Sequence, residues 1–202
     1  MQAKTGKREA TTQKRRTHII ESAALCFIEQ GFHQTSVRDI AKRAKISLGN
    51  LYNHFENKTA LIAEIAALEA DELKGVTKTL TSNAPPEKQM QRFIKAYFKT
   101  VSGKENAVLT AEIMAESMRN PSIAKGYTAN RQTLLNALTP VIEALNQSPQ
   151  RAELILDMIE GAGIRTAFES RKAQKTTRDA LIAWILSPNP ETPSYPPRQS
   201  AE

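Results

Sequence analysis

The segment from Thr35 to Lys58, which reads TSVRDIAKRAKISLGNLYNHFENK, constrains the fold of this chain more than any other stretch. Ser36 and Asp39 have the spacing of a capping box, so a helix is predicted to begin directly after Ser36. Four apolar residues then recur at the i, i+3, i+4 and i+7 positions of one helix face: Val37, Ile40, Ala41 and Ala44. The pattern predicts a short amphipathic helix with a single buried stripe.

A second short helix is predicted after a tight turn. Ile46 is an apolar residue in the turn, and Ser47 is the expected cap of the helix. Leu51 and Phe55 return its inner face to the core at the i, i+4 spacing. The residues left outside are Leu48, Gly49, Asn50, Tyr52, Asn53 and His54. They carry little charge but many hydrogen-bonding groups, which suits insertion into a DNA major groove beside phosphates.

At these residues the sequence resembles the TetR family of bacterial transcriptional regulators. The resemblance covers roughly the first third of the chain and runs through Ile20, Phe27, Gly31-Phe32, Thr35, IAKRA, ISLGNLYNHF, Asn57-Lys58 and Leu61. Lys45 departs from it, because the family usually has glycine in the turn; a positive φ there would cost lysine about 1 kcal/mol. The head of the second helix varies among family members, so the operator sequence does not follow from it.

The resemblance implies a role in DNA binding for ten residues. Those expected to face base edges are Arg38, Leu48, Gly49, Asn50 and Asn53. Those expected to hold phosphates are Ser36, Ser47, Tyr52, His54 and Lys58. The guanidinium of Arg38 can donate hydrogen bonds to O6 and N7 of a guanine at the same time, which is worth about 1 to 3 kcal/mol of discrimination against other bases. Alternatively, Arg38 is an ordinary solvated helix residue, and Tyr52 is partly core with its hydroxyl exposed.

Positive charge is concentrated in the amino-terminal part of the chain. Residues 1–58 contain 11 Lys+Arg against 5 Asp+Glu, whereas residues 59–202 contain 17 against 16. A basic surface of this kind supplies the sequence-independent, salt-sensitive part of DNA affinity. Charge alone would also fit RNA or no partner, and the helix pair is what favours double-stranded DNA.

The remaining pattern predicts an all-α protein of two domains. Residues 1–13 are expected to be a disordered basic arm, and residues 14–60 a three-helix domain containing the helix-turn-helix. A larger helical domain for effector binding and dimerisation is expected over residues 61–186, followed by a disordered proline-rich tail over 187–202. Helices are predicted at 14–30, 58–80, 86–102, 105–119, 122–146, 149–169 and 176–186.

Several classes of site are not expected. The longest uninterrupted apolar run, Ala23 to Ile28, is too short for a membrane span, and the polar basic start lacks a signal peptide, which predicts a cytoplasmic protein. His18, His33 and His54 have no metal-ligand spacing, so no metal is predicted. No cofactor is expected either.

Two carboxy-terminal helices carry the predicted homodimer interface. In the resemblance they form a four-helix interface with their copies, through Leu154, Ile155, Met158, Ile159, Gly161, Ala162, Leu181, Trp184 and Ile185. Dimerisation also follows from the DNA side, because two-fold pairing places two recognition helices roughly 34 to 36 Å apart on a palindromic site. The alternative is that this stripe is intramolecular core.

The resemblance also suggests a ligand pocket in the middle helices. Its candidate residues are Phe93, Tyr97, Met114, Met118, Tyr127 and Arg131. Aromatic and methionine side chains could line an adaptable apolar cavity, with a tyrosine or the arginine orienting a polar end of the effector. Aromatic residues and methionines at helical spacing are also common in ordinary cores.

The function predicted from the sequence is a specific DNA-binding regulator. On the resemblance alone, it is a repressor that binds a palindromic operator as a dimer and is released by a small-molecule effector of unknown identity. One alternative is a protein that coats DNA without sequence preference. The other is an enzyme, which the sequence disfavours because it has no G-x-S-x-G elbow, P-loop or metal-ligand cluster.

Overall fold

The computed structural model describes the backbone of residues 2–187 and the side chains of residues 10–187. In this range the chain forms nine α-helices and no β-strand, so the predicted all-α class is confirmed. The helices are α1 (Gln2–Gln30), α2 (Val37–Arg43), α3 (Leu48–Tyr52), α4 (Lys58–Thr77), α5 (Pro86–Val101), α6 (Lys104–Ser117), α7 (Pro121–Ala144), α8 (Arg151–Thr166) and α9 (Arg171–Leu186). A short 3-10 helix, Lys78–Leu80, follows α4. No helix in this part of the chain is long and apolar enough to cross a membrane.

Helix α1 corrects the prediction for the amino terminus. The sequence predicts a disordered arm over 1–13, whereas α1 begins at Gln2. Residues 2–13 lose the amphipathic pattern but contain no proline and are rich in good helix formers, so the helix continues beyond its buried stripe. The opposite end of α1 agrees with the sequence, because Gly31 follows it with a φ of 81°. The predicted tail lies outside the described residues apart from Ser187.

The chain divides into two compact units, and the division differs from the predicted boundary after residue 60. The first unit comprises Met1–Glu72 and Val108–Asn130, and the second comprises Leu73–Ala107 and Arg131–Glu202. Ile113 of α6 and Ile123 of α7 are fully buried in the same core as the amino-terminal helices. Long-range burial of this kind leaves no local signal in the sequence, which explains the misplaced boundary.

The core of the second unit is built around α5, α7, α8 and α9. Its fully buried members include Phe93, Leu138 and Ile155. Helices α5 and α8 cross closely at Gly163, where an added Cβ would lie 2.3 Å from Cγ2 of Val101. Only glycine leaves room for this crossing. Helix α9 begins at Arg171, earlier than the predicted residue 176, because Ser170 caps it through the backbone N–H of Ala173.

Candidate nucleic-acid interface

Helix α2 begins as the sequence predicts. The backbone N–H of Asp39 donates to Oγ of Ser36 over 3.2 Å, and the N–H of Ser36 donates to the Asp39 carboxylate over 2.9 Å. The hydrogen bond from the Ser36 hydroxyl holds the pKa of Asp39 below its usual value. Ile40 and Ala41 are buried. The predicted capping box and inner face are therefore confirmed, and Arg38 is left exposed on the outer side.

The turn between α2 and α3 contains the strained residue that the resemblance suggests. Lys45 has a φ of 54°, in the left-handed region where glycine is favoured. Its backbone N–H donates to the Lys42 carbonyl, and its side chain is exposed. Ile46 then packs partly against the core of the first unit. The turn is thus kept tight by a lysine in a conformation that costs free energy.

Helix α3 is short, and its inner side is well anchored. The Ser47 hydroxyl accepts the backbone N–H of Asn50 over 3.1 Å, which confirms the predicted cap. Leu51 is fully buried and Phe55 nearly so. With this face fixed in the core, Gly49, Tyr52 and Asn53 are exposed. Tyr52 exposes 51% of its surface, which favours the phosphate-facing interpretation over a core role.

Two residues expected to face bases are less accessible than predicted. Leu48 packs partly against the core of the first unit, because it precedes the buried Leu51 by three residues and shares its face. Asn50 is half-buried, and its Oδ1 is buried without a hydrogen-bond partner among the described residues. Of the five residues expected to face base edges, Arg38, Gly49 and Asn53 are exposed, whereas Leu48 and Asn50 are half-buried.

Lys58 requires a correction. It was expected to hold a phosphate, but its Nζ donates to the carbonyl oxygens of Phe32 at 2.5 Å and Thr35 at 2.9 Å. The same Nζ lies 4.3 Å from the ring centre of Phe32. Burial lowers the pKa of Lys58. The side chain thus ties the start of α4 to the α1–α2 turn, a contact between segments that the sequence does not reveal.

Arg16 of α1 is a positioning residue that sequence reasoning missed. It donates to the carbonyl oxygen of His54 over 2.9 Å and to Glu64 over 2.5 Å. Its guanidinium also lies 4.3 Å from the ring centre of Phe55. Arg16 therefore holds the chain directly after α3, where His54 is half-buried. In the sequence, Arg16 is one of several basic residues in a row and carries no distinguishing signal.

Two carboxylates of α6 hold the α1–α2 turn within the first unit. The backbone N–H of Phe32 donates to Glu112 Oε2 over 2.9 Å. His33 Nε2 lies 2.8 Å from Glu116 Oε1, and Glu116 is also paired with Arg119. These contacts fix the entry into α2, and they too were missed because they join residues about eighty positions apart.

The predicted dimer residues fall into two groups. Four of them belong to the buried core of the second unit, which corrects their assignment to an interface: Ile155, Ile159, Leu181 and Ile185. Met158 and Ala162 are partly buried against that core. Leu154 is half-buried, Gly161 is exposed, and Trp184 exposes 36% of its surface. Both α8 and α9 carry apolar residues outside their core stripe, such as Leu154 and Trp184, and the sequence alone did not distinguish these from the core residues.

The predicted pocket residues do not all belong to one compact unit. Phe93, Tyr97 and Arg131 lie in the second unit, where the rings of Phe93 and Tyr97 are 5.7 Å apart. The first unit contains the other three, which are Met114, Met118 and Tyr127. Met118 exposes 81% of its surface, so it does not line an enclosed cavity. Tyr127 packs partly against the core of the first unit.

A polar cluster surrounds Arg131 in the second unit. The Tyr97 hydroxyl donates to Glu160 Oε1 over 2.7 Å, and Arg131 donates to both oxygens of Glu160 over 3.2 Å. Arg131 also pairs with Asp157. Burial raises the pKa of Glu160 against the opposing effects of Tyr97 and Arg131. The carboxylates were missed, because acidic residues on an amphipathic helix are usually solvated.

Comparison with known proteins agrees with the geometry of the helix pair. Residues 19–65 match the model of a family described as "Bacterial regulatory proteins, tetR family". The chain is 30% identical over 163 residues to the HTH-type transcriptional regulator UidR of Escherichia coli strain K12, covering 81% of this chain and 78% of that protein. It is 26% identical over 147 residues to the HTH-type transcriptional repressor KstR2 of Mycobacterium tuberculosis strain H37Rv, covering 72% and 74%.

Solved structures match most of the length of the chain and not only its amino-terminal part. Salmonella enterica GusR matches with a TM-score of 0.64 and 25% identity, over 86% of this chain and 95% of that one. A transcriptional regulator from Rhodococcus sp. Rha1 matches with a TM-score of 0.72 and 21% identity, over 85% and 95%. The second likeness is one of fold alone.

Proposed function

Because this chain belongs to the TetR family of bacterial regulatory proteins, we propose that it represses transcription as a homodimer on a palindromic operator. It is a helix-turn-helix transcriptional regulator. The proposal adds that a small-molecule effector releases it from DNA, and that it acts in the cytoplasm and is not an enzyme. Relatives named as transcriptional repressors support the direction of control.

The observation that carries the proposal is the outer side of the α2–α3 pair. Arg38, Gly49 and Asn53 are exposed, while the capped helices are fixed from behind by buried Ile40 and Leu51. A rigid inner face and an exposed polar outer face are what a reader of base edges requires. We assign Arg38 to a guanine, and Ser36, Ser47 and Tyr52 to phosphates.

A homodimer is supported by the size of α3 and by the outer face of α8 and α9. Helix α3 has five residues, so a single copy reads few base pairs. The outer face presents Leu154, Gly161 and Trp184, which are apolar or small and at least partly exposed. Burying this face against its copy is favourable, and two-fold symmetry matches a palindromic site.

Effector release is supported by the polar cluster around Arg131. A partly buried arginine with carboxylates and a tyrosine offers both donors and acceptors to a polar ligand, next to apolar residues such as Phe93. An effector lowers operator affinity only by its differential affinity for a conformation that fits DNA poorly.

Selection of bound sequences from random duplex DNA tests this function. The full-length chain is compared with Arg38→Ala and with Tyr52→Phe, which removes a single hydroxyl. We expect a palindrome from the unaltered chain, with about 1 to 3 kcal/mol of discrimination lost at particular base pairs in Arg38→Ala. Tyr52→Phe should weaken binding evenly across sequences. Selection of no motif, with binding that disappears as salt rises, would instead identify a protein that coats DNA.

A further inference from the structure

The exposed side of α5 is a stripe of basic residues. The opposite side of this helix is buried in the core of the second unit, through residues such as Phe93, Tyr97 and Val101. Four exposed cations recur at the i, i+4, i+7 and i+11 positions of one helix face: Lys88, Arg92, Lys95 and Lys99. At a rise of about 1.5 Å per residue, this α5 stripe is about 16 Å long.

The α5 stripe is not neutralised by its own helix. Glu87 is the single acidic residue of α5, and no cation follows it at the third or fourth position. Within the described part of the chain, none of the four cations forms an ion pair. Like charges three or four residues apart on a helix repel each other, and a solvated helix face usually mixes the two signs. The stripe is therefore unfavourable for α5 alone and suits a partner with repeated negative charges.

Helix α9 extends this positive surface. It contacts α5, and its residue Arg178 donates to the carboxylate of Asp179 over 2.7 Å. This hydrogen bond, together with the positive charges of Lys175 and Lys95, lowers the pKa of Asp179. Lys175 of α9 and Lys95 of α5 thus lie near the same carboxylate. Because Asp179 is already paired with Arg178, it leaves the surface positive.

The second unit has the larger share of the net positive charge. It contains 15 Lys+Arg against 10 Asp+Glu, whereas the first unit contains 13 against 11. Dividing the chain at residue 58 hides this distribution, because residues 59–72 carry four acidic and no basic residues but belong to the first unit. The second unit therefore has a positive surface of its own, apart from the α2–α3 pair.

The chemistry of the α5 stripe favours the phosphates of double-stranded DNA. No large apolar side chain is exposed on α5, so the stripe lacks the apolar residues with which a helix enters a membrane surface and the aromatic anchors of a protein interface. Each strand of a duplex carries a phosphate about every 3.4 Å along the axis, so a stripe of about 16 Å lies beside about five phosphates. DNA is also the polyanion that this regulator binds.

We propose that the α5 stripe, extended by Lys175, is a second DNA-binding surface that holds backbone phosphates without reading the sequence. Lysine and arginine contacts to phosphates give affinity and carry no information about the bases. This surface is separate from the operator contacts of the proposed function, and it requires neither the homodimer nor the effector. Its phosphates belong either to the duplex held by the α2–α3 pair or to another duplex.

The test is the affinity of the full-length chain for a labelled duplex of random sequence, measured by fluorescence anisotropy at several salt concentrations. The α5 variant combines Arg92→Gln with Lys99→Gln. The matched control combines Arg165→Gln with Lys125→Gln, which also removes one arginine and one lysine from exposed positions of other helices. Circular dichroism and thermal unfolding confirm that both variants are folded, since substitutions of exposed residues have little effect on stability.

We expect the α5 variant to reduce the slope of log affinity against log salt by about 1.8, because each phosphate contact contributes about 0.9. Its affinity at about 0.1 M salt should fall by about tenfold or more, whereas the control should keep the slope and lose less than about threefold. The loss should be the same in an Arg38→Ala background, because separate surfaces act additively.

Two outcomes overturn the inference while the helix-turn-helix function stands. One is an equal slope for the α5 variant and the control. The other is a loss that disappears in the Arg38→Ala background, because the α5 residues would then act through the α2–α3 pair. If the unaltered chain binds no duplex at any salt concentration, the proposed function fails as well.

Two further measurements identify the source of the phosphates. If the protein on an immobilised duplex captures a second, labelled duplex and the α5 variant does not, the phosphates belong to another duplex. If the effect of the α5 variant instead requires a long duplex, they belong to the one already bound. Vesicles of equal parts phosphatidylserine and phosphatidylcholine test a membrane. Vesicle binding that the α5 variant loses, with an unchanged salt slope for DNA, would overturn the inference.

Discussion

The α2–α3 pair and the α8–α9 pair are both amphipathic helix pairs with a predicted function. They differ in how well the sequence predicts which of their residues are core. In α2–α3 the stripe predicted as core is core, and polar residues such as Arg38 and Asn53 remain outside. In α8–α9 the residues predicted as interface are divided, with Ile155 in the core and Leu154 partly exposed. Where only one face of a helix is apolar, its inner side is decided locally. Where a helix has apolar residues on more than one side, tertiary packing decides which of them are core.

Two neighbouring residues of α8 test most directly whether its core side and its exposed side differ in this way. Ile155→Ala should lower the free energy of unfolding by about 2 to 5 kcal/mol, because Ile155 is fully buried and the change leaves a cavity. Leu154→Ala should cost about 1 kcal/mol or less in the monomer and weaken the dimer instead. Urea unfolding at concentrations where the chain is monomeric measures the first effect, and sedimentation measures the second. If both variants lose the same free energy of unfolding in the monomer, Ile155 and Leu154 are not core and surface residues, respectively, as the structure shows.

Two glycines of α8 provide a second test of which side of this helix packs in the core. Gly163→Ala should destabilise the fold by about 1 to 3 kcal/mol, because its Cβ would lie 2.3 Å from Val101 Cγ2 and 3.2 Å from the Val101 backbone. Gly161→Ala is the control, since nothing lies within 4 Å of its added Cβ. It should stabilise the helix by about 0.5 to 1 kcal/mol. Thermal unfolding of both variants at a concentration where the chain is monomeric checks the opposite signs, and a neutral Gly163→Ala would contradict the close crossing of α5 and α8.

Lys58 tests whether a basic residue beside the helix pair touches DNA. Lys58→Met should lower the free energy of unfolding by about 1 to 3 kcal/mol, because it removes charged hydrogen bonds to the carbonyls of Phe32 and Thr35. The slope of log affinity for DNA against log salt should stay the same, since no phosphate contact is lost. Titrations at several salt concentrations measure this slope. A slope that falls by about one would return Lys58 to the phosphate-binding set.

The smallest expected effect concerns Lys45 in the turn. Lys45→Gly should stabilise the fold by about 1 kcal/mol, because glycine adopts a φ of 54° without the steric cost that lysine has. Lys45→Ala loses the same charge but keeps the strained conformation, so it should change stability by less than about 0.5 kcal/mol. Chemical denaturation of the three proteins separates the two contributions. A stabilisation by alanine equal to that by glycine would assign the effect to charge rather than to backbone strain.

In the candidate interface, the features that the sequence predicts correctly are those that depend on residues close together in the chain. Ser36 with Asp39, and Ser47 with the N–H of Asn50, form caps within three residues, and both are present in the structure. The positive φ of Lys45 belongs to the same class, since a tight turn between two helices requires it. The contacts of Arg16 and Glu112 join segments far apart in the chain and could not be found this way.

The sequence by itself determined the all-α class, the position of nearly every helix after α1, and the membership in a family of DNA-binding regulators. These depend on propensity, capping and periodicity over a few turns, which the local sequence contains. Only the tertiary structure decided that Lys58 binds backbone carbonyls and that Ile155 is core. Both depend on which distant segment of the chain packs against the side chain. Such packing leaves no periodic pattern in the local sequence.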